Sequence, residues 1–358
     1  MGGSESKDTD KNTQQDHSWL NSLELNVHKL KDFNQVEEIG GDKTFLALKN
    51  DICYIVLTLG LSLKLVENDF EVYSGALPEG IRYPSDAIYV PSIDSYLLAT
   101  SKSIYIKDID YNPPYTFMEV QCSMYRSGAC FRYSKMHQRL ITTKDFANIA
   151  VIDPKARTVE FELKMNPGNH IKDFRVFGER ENRVAAVTGD GYVVVYSLDY
   201  SLQKGSILAK NRIKLRTEFS EWPTSVSVCN KNHYILVEIG QGNHPKLCLR
   251  MFIFRVDGDS LVNTASIDFT NQQEIGEMYA LECFGCVGSH ILWLGLPWKK
   301  NAAVELIDYD MEKGALSEAK SKSVVRHGEL NPYRLIRFGD KFYYTGSRGG
   351  LMCLSVNI

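Results

Sequence analysis

No run of apolar residues in this 358-residue chain is long enough to cross a bilayer: the longest, ICYIVLTLGLSL from Ile52 to Leu63, contains Thr58 and Gly60 and reads as two strands and a turn. Neither sign of charge dominates. Lys and Arg number 41 against 44 Asp and Glu, a net charge of -3, which argues against a surface built to neutralise a phosphate backbone, so no nucleic-acid partner is expected. There is no Asn-x-Ser/Thr acceptor and no secretory leader. The eight cysteines (53, 122, 130, 229, 248, 283, 286 and 353) fall mostly in apolar strand-like runs, where a free thiol behaves as a small hydrophobe. Together these absences place the expected location on the cytoplasmic, reducing side. Helical periodicity is missing as well, since after residue 40 no segment of 12 or more residues repeats its apolar positions every 3.6. With 44% hydrophobic and 24% charged residues, the chain can still build a sizeable core, and that core is expected to be all-β.

Signatures of catalysis and cofactor binding are equally scarce. A G-x-x-x-x-G-K-[ST] loop, H-E-x-x-H and G-x-S-x-G are all absent. GDGYVV at Gly189 and GQGNHP at Gly240 begin like dinucleotide fingerprints, yet they lack the third glycine and join strand to strand, so turn glycines are the better reading. CFGC, Cys283 to Cys286, is a single C-x-x-C pair without the two further ligands zinc needs. DIDYNPPYTFME, Asp108 to Glu119, carries oxygen ligands at calcium-loop positions 1, 3, 5 and 12, but Pro113 occupies the sixth position, where the loop needs glycine. The eight histidines (17, 28, 137, 170, 233, 244, 290 and 327) show no metal-ligand spacing. The chain reads as non-catalytic, with no metal and no cofactor.

What is present is a repeat. Five segments share one cadence: YIVLTLGLSLKLVEN (54 to 68), YLLATSKSIYIKD (96 to 108), LITTKDFANIAVID (140 to 153), AAVTGDGYVVVYSLD (185 to 199) and FYYTGSRGGLMCLSVN (342 to 357). Each is an apolar run ending in Thr (58, 100, 143, 188, 345), a short turn, an alternating strand and a terminal Asp or Asn. Looser copies end at Asp257 and Asp308. The steps between successive terminal residues are 40, 45, 46, 58, 51 and 49, each with room for the four short strands of a propeller blade. In the unit from 168 to 213, IKDFRVF, RVAAVTG, YVVVYSL and SILAKNRI are the expected strands. The fold predicted is a seven-bladed β-propeller over residues 21 to 358, behind a polar, disordered tail over 1 to 20.

The last unit stops after its third strand, so the reading assigns LELNVHKL, Leu23 to Leu30, as the outer strand of that C-terminal blade, closing the ring. An amphipathic helix is the alternative for that stretch, because Leu20, Leu23, Val27 and Leu30 also share one helical face. With Asp108, Asp153, Asp199, Asp257 and Asp308 in the place of the family's final Asp, residues 23 to 358 resemble the WD40-like β-propeller superfamily. The Trp that precedes that Asp in the family, and its opening Gly-His pair, are absent from every unit. The resemblance implies docking on the face that carries the loops between second and third strands.

Two of those loops are long, GQGNHPK (240 to 246) and LPWKKN (296 to 301), and with RTEFSEWPTS (216 to 225) they gather Trp222, His244, Trp298, Lys299 and Lys300 as candidate partner-binding residues. Tryptophan suits that role because a large ring buries much area with few rotors to freeze. For Trp222 the alternative of a ring folded over its own blade ranks ahead. Arg348, in the TGSRGG turn, is a further candidate on the far side. MGGSESK fits the N-myristoylation pattern with Gly2 as acceptor and Ser6 at the required position. A single acyl chain gives only weak, reversible membrane contact, and the acidic tail adds no second anchor. The expected function is a protein-interaction scaffold or adaptor of a larger assembly. The alternatives are a lipid-anchored peripheral membrane adaptor, and a propeller enzyme with its site at the channel mouth.

Overall fold

The computed structural model describes residues 24–31, 44–50, 52–58, 62–68, 70–77, 86–108, 113–120, 122, 131–165, 170–229, 234–241, 250–269, 278–287, 290–297, 305–316, 320–321, 336–338, 341–345 and 351–357. They are almost entirely strand, broken by two 3-10 turns at Pro91–Ile93 and Thr217–Phe219. After β1 (Glu24–Lys31), the first full sheet holds β2 (Thr44–Leu48), β3 (Cys53–Thr58), β4 (Ser62–Glu67) and β5 (Phe70–Ala76). The second holds β6 (Asp86–Val90), β7 (Ser95–Ala99), β8 (Ile104–Lys107) and β9 (Tyr115–Met118), and the third β10 (Phe131–Ser134), β11 (Arg139–Lys144), β12 (Asn148–Asp153) and β13 (Thr158–Lys164). The fourth is β14 (Ile171–Phe177), β15 (Arg183–Thr188), β16 (Tyr192–Asp199) and β17 (Lys204–Arg212), and the fifth β18 (Glu221–Cys229), β19 (Tyr234–Gln241), β20 (Arg250–Asp257) and β21 (Ser260–Asp268). Next come β22 (Met278–Val287), β23 (His290–Pro297), β24 (Glu305–Asp310), β25 (Ala315–Leu316) and β26 (Lys320–Ser321). Last, β27 (Ile336–Phe338), β28 (Lys341–Thr345) and β29 (Leu351–Asn357) form a sheet with β1.

The strand pairing corrects the expectation of a closed seven-bladed propeller stamped from one unit. Six sheets have four antiparallel strands, the one over 278–321 has five, and each is an open run of strands with none closed or curled on itself. The irregular sheet has a physical cause: MEKGALSEAKS, 311 to 321, is rich in Glu, Lys, Ala and Gly, all poor strand formers, and it pairs with β24 only in two-residue pieces. Glu24–Lys31 is a strand and not a helix, lying antiparallel to β29 from Glu24 opposite Asn357 to Lys31 opposite Leu351.

The Thr and Asp cadence is turn chemistry. The Thr188 hydroxyl accepts from the Tyr192 N–H (3.0 Å) and donates to Asp190 (2.6 Å), closing the β15–β16 turn. Thr100 accepts from the N–H groups of Lys102 and Ser103 in the same way. At the other end of the third strands, Asp153 accepts from the Lys155 and Ala156 N–H groups, and Asp199 from those of Ser201 and Leu202. These side chains satisfy backbone donors that the strand ladder leaves open. In the irregular sheet the role falls on Asp310, which accepts from Glu312 and Lys313, whereas Asp308 pairs with Nδ1 of buried His290 at 2.9 Å. The terminal residue read at 308 is therefore displaced by two positions.

Middle strands bury both faces, which is why they read as continuous apolar runs. In β15 and β16, Val184, Ala186, Val194 and Tyr196 enter a cluster with Ile141, Val151 and Leu163 of the third sheet, while Ala185, Val187, Val193 and Val195 enter one with Ile235, Val237 and Phe254 of the fifth. The core is thus a succession of wedges between neighbouring sheets, traced in chain order from β28 and β29 past β2–β5 to β22–β24. Buried aspartates tie the first strands together across the wedges. Asp86 accepts from the Phe131 N–H at 2.9 Å and Asp173 from the Val226 N–H at 3.0 Å. The cysteines are not all thiols as expected: Cys122 and Cys353 are buried and form no disulfide, but Cys229 is disulfide-bonded.

Candidate functional site

In each four-stranded sheet, the first strand starts at the end where the second turns into the third. At that end of the fourth and fifth sheets the structure assembles a dense polar and aromatic group. The Thr188–Gly191 turn lies over the start of β14, and Gly191 is required there: its φ is +90°, and a Cβ would stand 2.7 Å from the Ile213 carbonyl oxygen. At Gly189 a Cβ would meet Cε of Lys172 at 2.9 Å, so the glycine leaves the path along which Lys172 reaches its neighbour. That neighbour is Trp222, with the ammonium 4.7 Å from the ring. Burial lowers the pKa of Lys172, and the indole face offsets part of that desolvation.

Trp222 is not in a loop. The 3-10 turn at Thr217–Phe219 ends in Ser220 with φ +49°, and β18 begins at Glu221, so Trp222 pairs across the ladder with Gly240 and is half-buried, its Nε1 enclosed without a hydrogen-bond partner. A ring placed in this way is a packing element first. Beside it, the fully enclosed Glu221 carboxylate accepts from Nε of Arg216 at 2.6 Å, the Arg216 N–H at 2.8 Å and Nη1 of Arg250 at 3.0 Å, and Arg216 also bonds Asp268 at 3.0 Å. Lower in the wedge, Asp173 accepts from Arg132 and Arg175. Sequence reasoning missed these two networks, whose directly bonded partners lie up to 52 and 53 residues apart, and no local pattern signals them.

The remaining predicted residues, Gly2, His244, Trp298, Lys299, Lys300 and Arg348, lie outside the described residues. In chain order 242–249 separates β19 from β20, 298–304 β23 from β24 and 346–350 β28 from β29, each the step from second to third strand that Thr188–Gly191 makes in the fourth sheet. Chemically, the described residues of this end offer cations and aromatic rings, and the carboxylates of Glu221 and Asp173 are each held by guanidinium groups. Among the described residues no group of three or more His, Cys, Asp or Glu is placed to hold a metal ion. Asp108, first in the calcium-like stretch, accepts instead from the Ser95 and Tyr115 hydroxyls. No helix among the described residues is long and apolar enough to cross a membrane.

No family model matches the sequence, and no curated protein sequence matches it. Solved structures do. A chain of BBS1N, crystallised in complex with ARL6DN, is similar over 92% of this chain and 96% of its own, with a TM-score of 0.58 at 13% identity. The virginiamycin B lyase of Staphylococcus aureus is similar over 93% and 99%, with a TM-score of 0.59 at 10% identity. Raptor of Chaetomium thermophilum is similar over 89% of this chain but only 28% of its own, with a TM-score of 0.59 at 13% identity. The fold is of the β-propeller type. At this level of identity the likeness concerns fold and not function.

Proposed function

We propose that this β-propeller-type protein is a non-catalytic interaction module, an adaptor or subunit that holds a protein partner at the loop end of its sheets. The observation that carries the reading is the pairing of charge there: Glu221 and Asp173 are locked by Arg216, Arg250, Arg132 and Arg175, a rigid platform built from carboxylates committed to guanidinium partners. The BBS1N chain, of the same general fold, was crystallised with a protein bound to it. The stretches 242–249 and 298–304, with His244, Trp298, Lys299 and Lys300, are the proposed contacts, and Arg348, between β28 and β29 in the sequence, is a further proposed contact. Replacing Trp298, Lys299 and Lys300 by alanine is expected to release a partner that co-purifies stoichiometrically with the native protein, leaving thermal stability unchanged. A large loss of melting temperature would make those residues structural and remove the reading.

A lipid-anchored form of the same adaptor rests on the MGGSESK pattern. Intact-mass measurement of protein made in a eukaryotic host tests it: a myristoyl increment that disappears in Gly2→Ala supports acylation, and an unmodified Gly2 ends it.

A further inference from the structure

We propose that the outer edge of the fourth sheet is a second docking site, which takes an extended acidic peptide by strand addition to β17. From Lys204 to Arg216 the sequence KGSILAKNRIKLR has five basic and no acidic residues, within a chain whose net charge is -3. The strand geometry sorts them. Ala209 and Ile213 point into the wedge with the fifth sheet and are buried, whereas Lys210, Arg212 and Lys214 alternate with them and are exposed. Alternate residues of a strand stand about 6.8 Å apart on one face, so Lys210 and Arg212 have the spacing of a facing strand's side chains, and Lys214 follows two residues past the end of β17. Among the described residues none of them has an ion-pair partner, and the Arg212 guanidinium rests over the Tyr192 ring at 5.0 Å. By contrast Arg216, further along the chain, is engaged by Glu221 and Asp268.

β17 is also the outermost strand of its sheet, so among the described residues nothing pairs with its outer backbone groups. A peptide with acidic residues at alternate positions would satisfy both features together, through main-chain hydrogen bonds to the edge and opposite-charge cross-strand pairs on the face. Membranes and nucleic acids fit less well. Each could meet the charges, but neither would use the strand's unpaired backbone, and three cations are few for a phosphate backbone. Lysines also serve to guard edge strands against pairing. A guard needs no register, and that difference is what the experiment reads.

The test is fluorescence anisotropy with the full chain and two labelled peptides of one composition, Thr-Glu-Thr-Glu-Thr-Glu and Thr-Thr-Thr-Glu-Glu-Glu. The alternating peptide is expected to bind more tightly, with affinity falling as salt rises from about 50 to about 300 mM. Lys210→Glu with Lys214→Glu should weaken it on the order of tenfold, and Lys210→Arg with Lys214→Arg should retain it. The neutral pair Lys210→Gln with Lys214→Gln keeps the test readable if charge reversal impairs folding. Equal binding of both peptides, or binding of phosphatidylserine vesicles or duplex RNA without the alternating peptide, overturns the proposal. The site is independent of the loop-end reading: Trp298→Ala with Lys299→Ala and Lys300→Ala should bind the peptide as the native chain does, and loss of binding there would also overturn it.

Discussion

Asp173→Ala should be among the most destabilising single substitutions in this protein. Its carboxylate is 2% exposed and accepts from Nη2 of Arg132 at 2.9 Å, from Nη1 of Arg175 at 2.8 Å and from the Val226 N–H at 3.0 Å, joining the third, fourth and fifth sheets at one atom pair. Truncation takes the carboxylate away from the Arg132 and Arg175 guanidiniums and removes the acceptor of the buried Val226 N–H. Removing one partner of a buried ion pair costs about 3–5 kcal/mol, and an orphaned buried donor about 1–3 kcal/mol. The two guanidiniums are 12% and 17% exposed, so water recovers part of both terms, and about 3–4 kcal/mol is the net expectation. Against a usual total of about 5–15 kcal/mol this is a large share. Asp173→Asn keeps an oxygen for Val226 but loses the charge, so it should fall between Ala and the native residue. Arg255→Ala is the control: its pair with Asp257 is long, at 3.4 Å, with side chains 50% and 67% exposed, and its loss should cost below about 1 kcal/mol. Equilibrium urea unfolding followed by circular dichroism reads all three as midpoint shifts at constant slope. If Asp173→Ala loses no more than Arg255→Ala, the view of this carboxylate as a three-sheet tie is wrong.

Other expectations follow from the turns and the buried thiol. Thr188→Ala loses the bonds to the Tyr192 N–H and Asp190, at about 1 kcal/mol, and Thr188→Ser should restore most of it in the same urea assay. Gly191→Ala should cost about 1–3 kcal/mol, because it meets both the positive φ and the Ile213 carbonyl. The Ala156 N–H, followed by that of Lys155, holds the Asp153 carboxyl below its ordinary value, and the Ser201 hydroxyl, followed by the Leu202 N–H, does so for Asp199. A depressed folded pKa means that their contribution is complete above about pH 4 and is lost as pH falls through the folded values, so Asn at both positions should flatten the acid limb of a stability–pH curve. Burial pushes the Cys122 thiol up to about 12, and its peptide should resist iodoacetamide at pH 8 until the protein is unfolded; rapid labelling of the native chain would contradict that burial.

Local chemistry is what the sequence made legible. The four strands read between 168 and 213 are β14 to β17, because alternation, Thr188, Asp199 and the two glycines of one turn are all properties of neighbouring residues. Equality of the units was not legible in the same way. Asp308 occupies the expected place in the letters, yet His290 claims it, and the turn is capped from Asp310. RTEFSEWPTS has the composition of a loop, but Glu221 draws in Arg216 and Arg250, and the strand starts a residue before Trp222.

The sites themselves are harder to read, for a reason rooted in the fold. Neighbouring sheets supply much of each network, so Asp173 meets Arg132 and Val226 across separations of 41 and 53 residues. Net charge fails in the opposite direction. It averages Lys210, Arg212 and Lys214 with acids elsewhere in the chain, and their alternation with Ala209 and Ile213 looks like any outer strand until the partner of each cation is sought. Only the packed structure shows that Arg216 is ion-paired while, among the described residues, the three cations before it are not. Function in a chain of this kind therefore resides in the residues that remain after the wedges and turns have taken theirs, and that remainder is a property of the folded molecule.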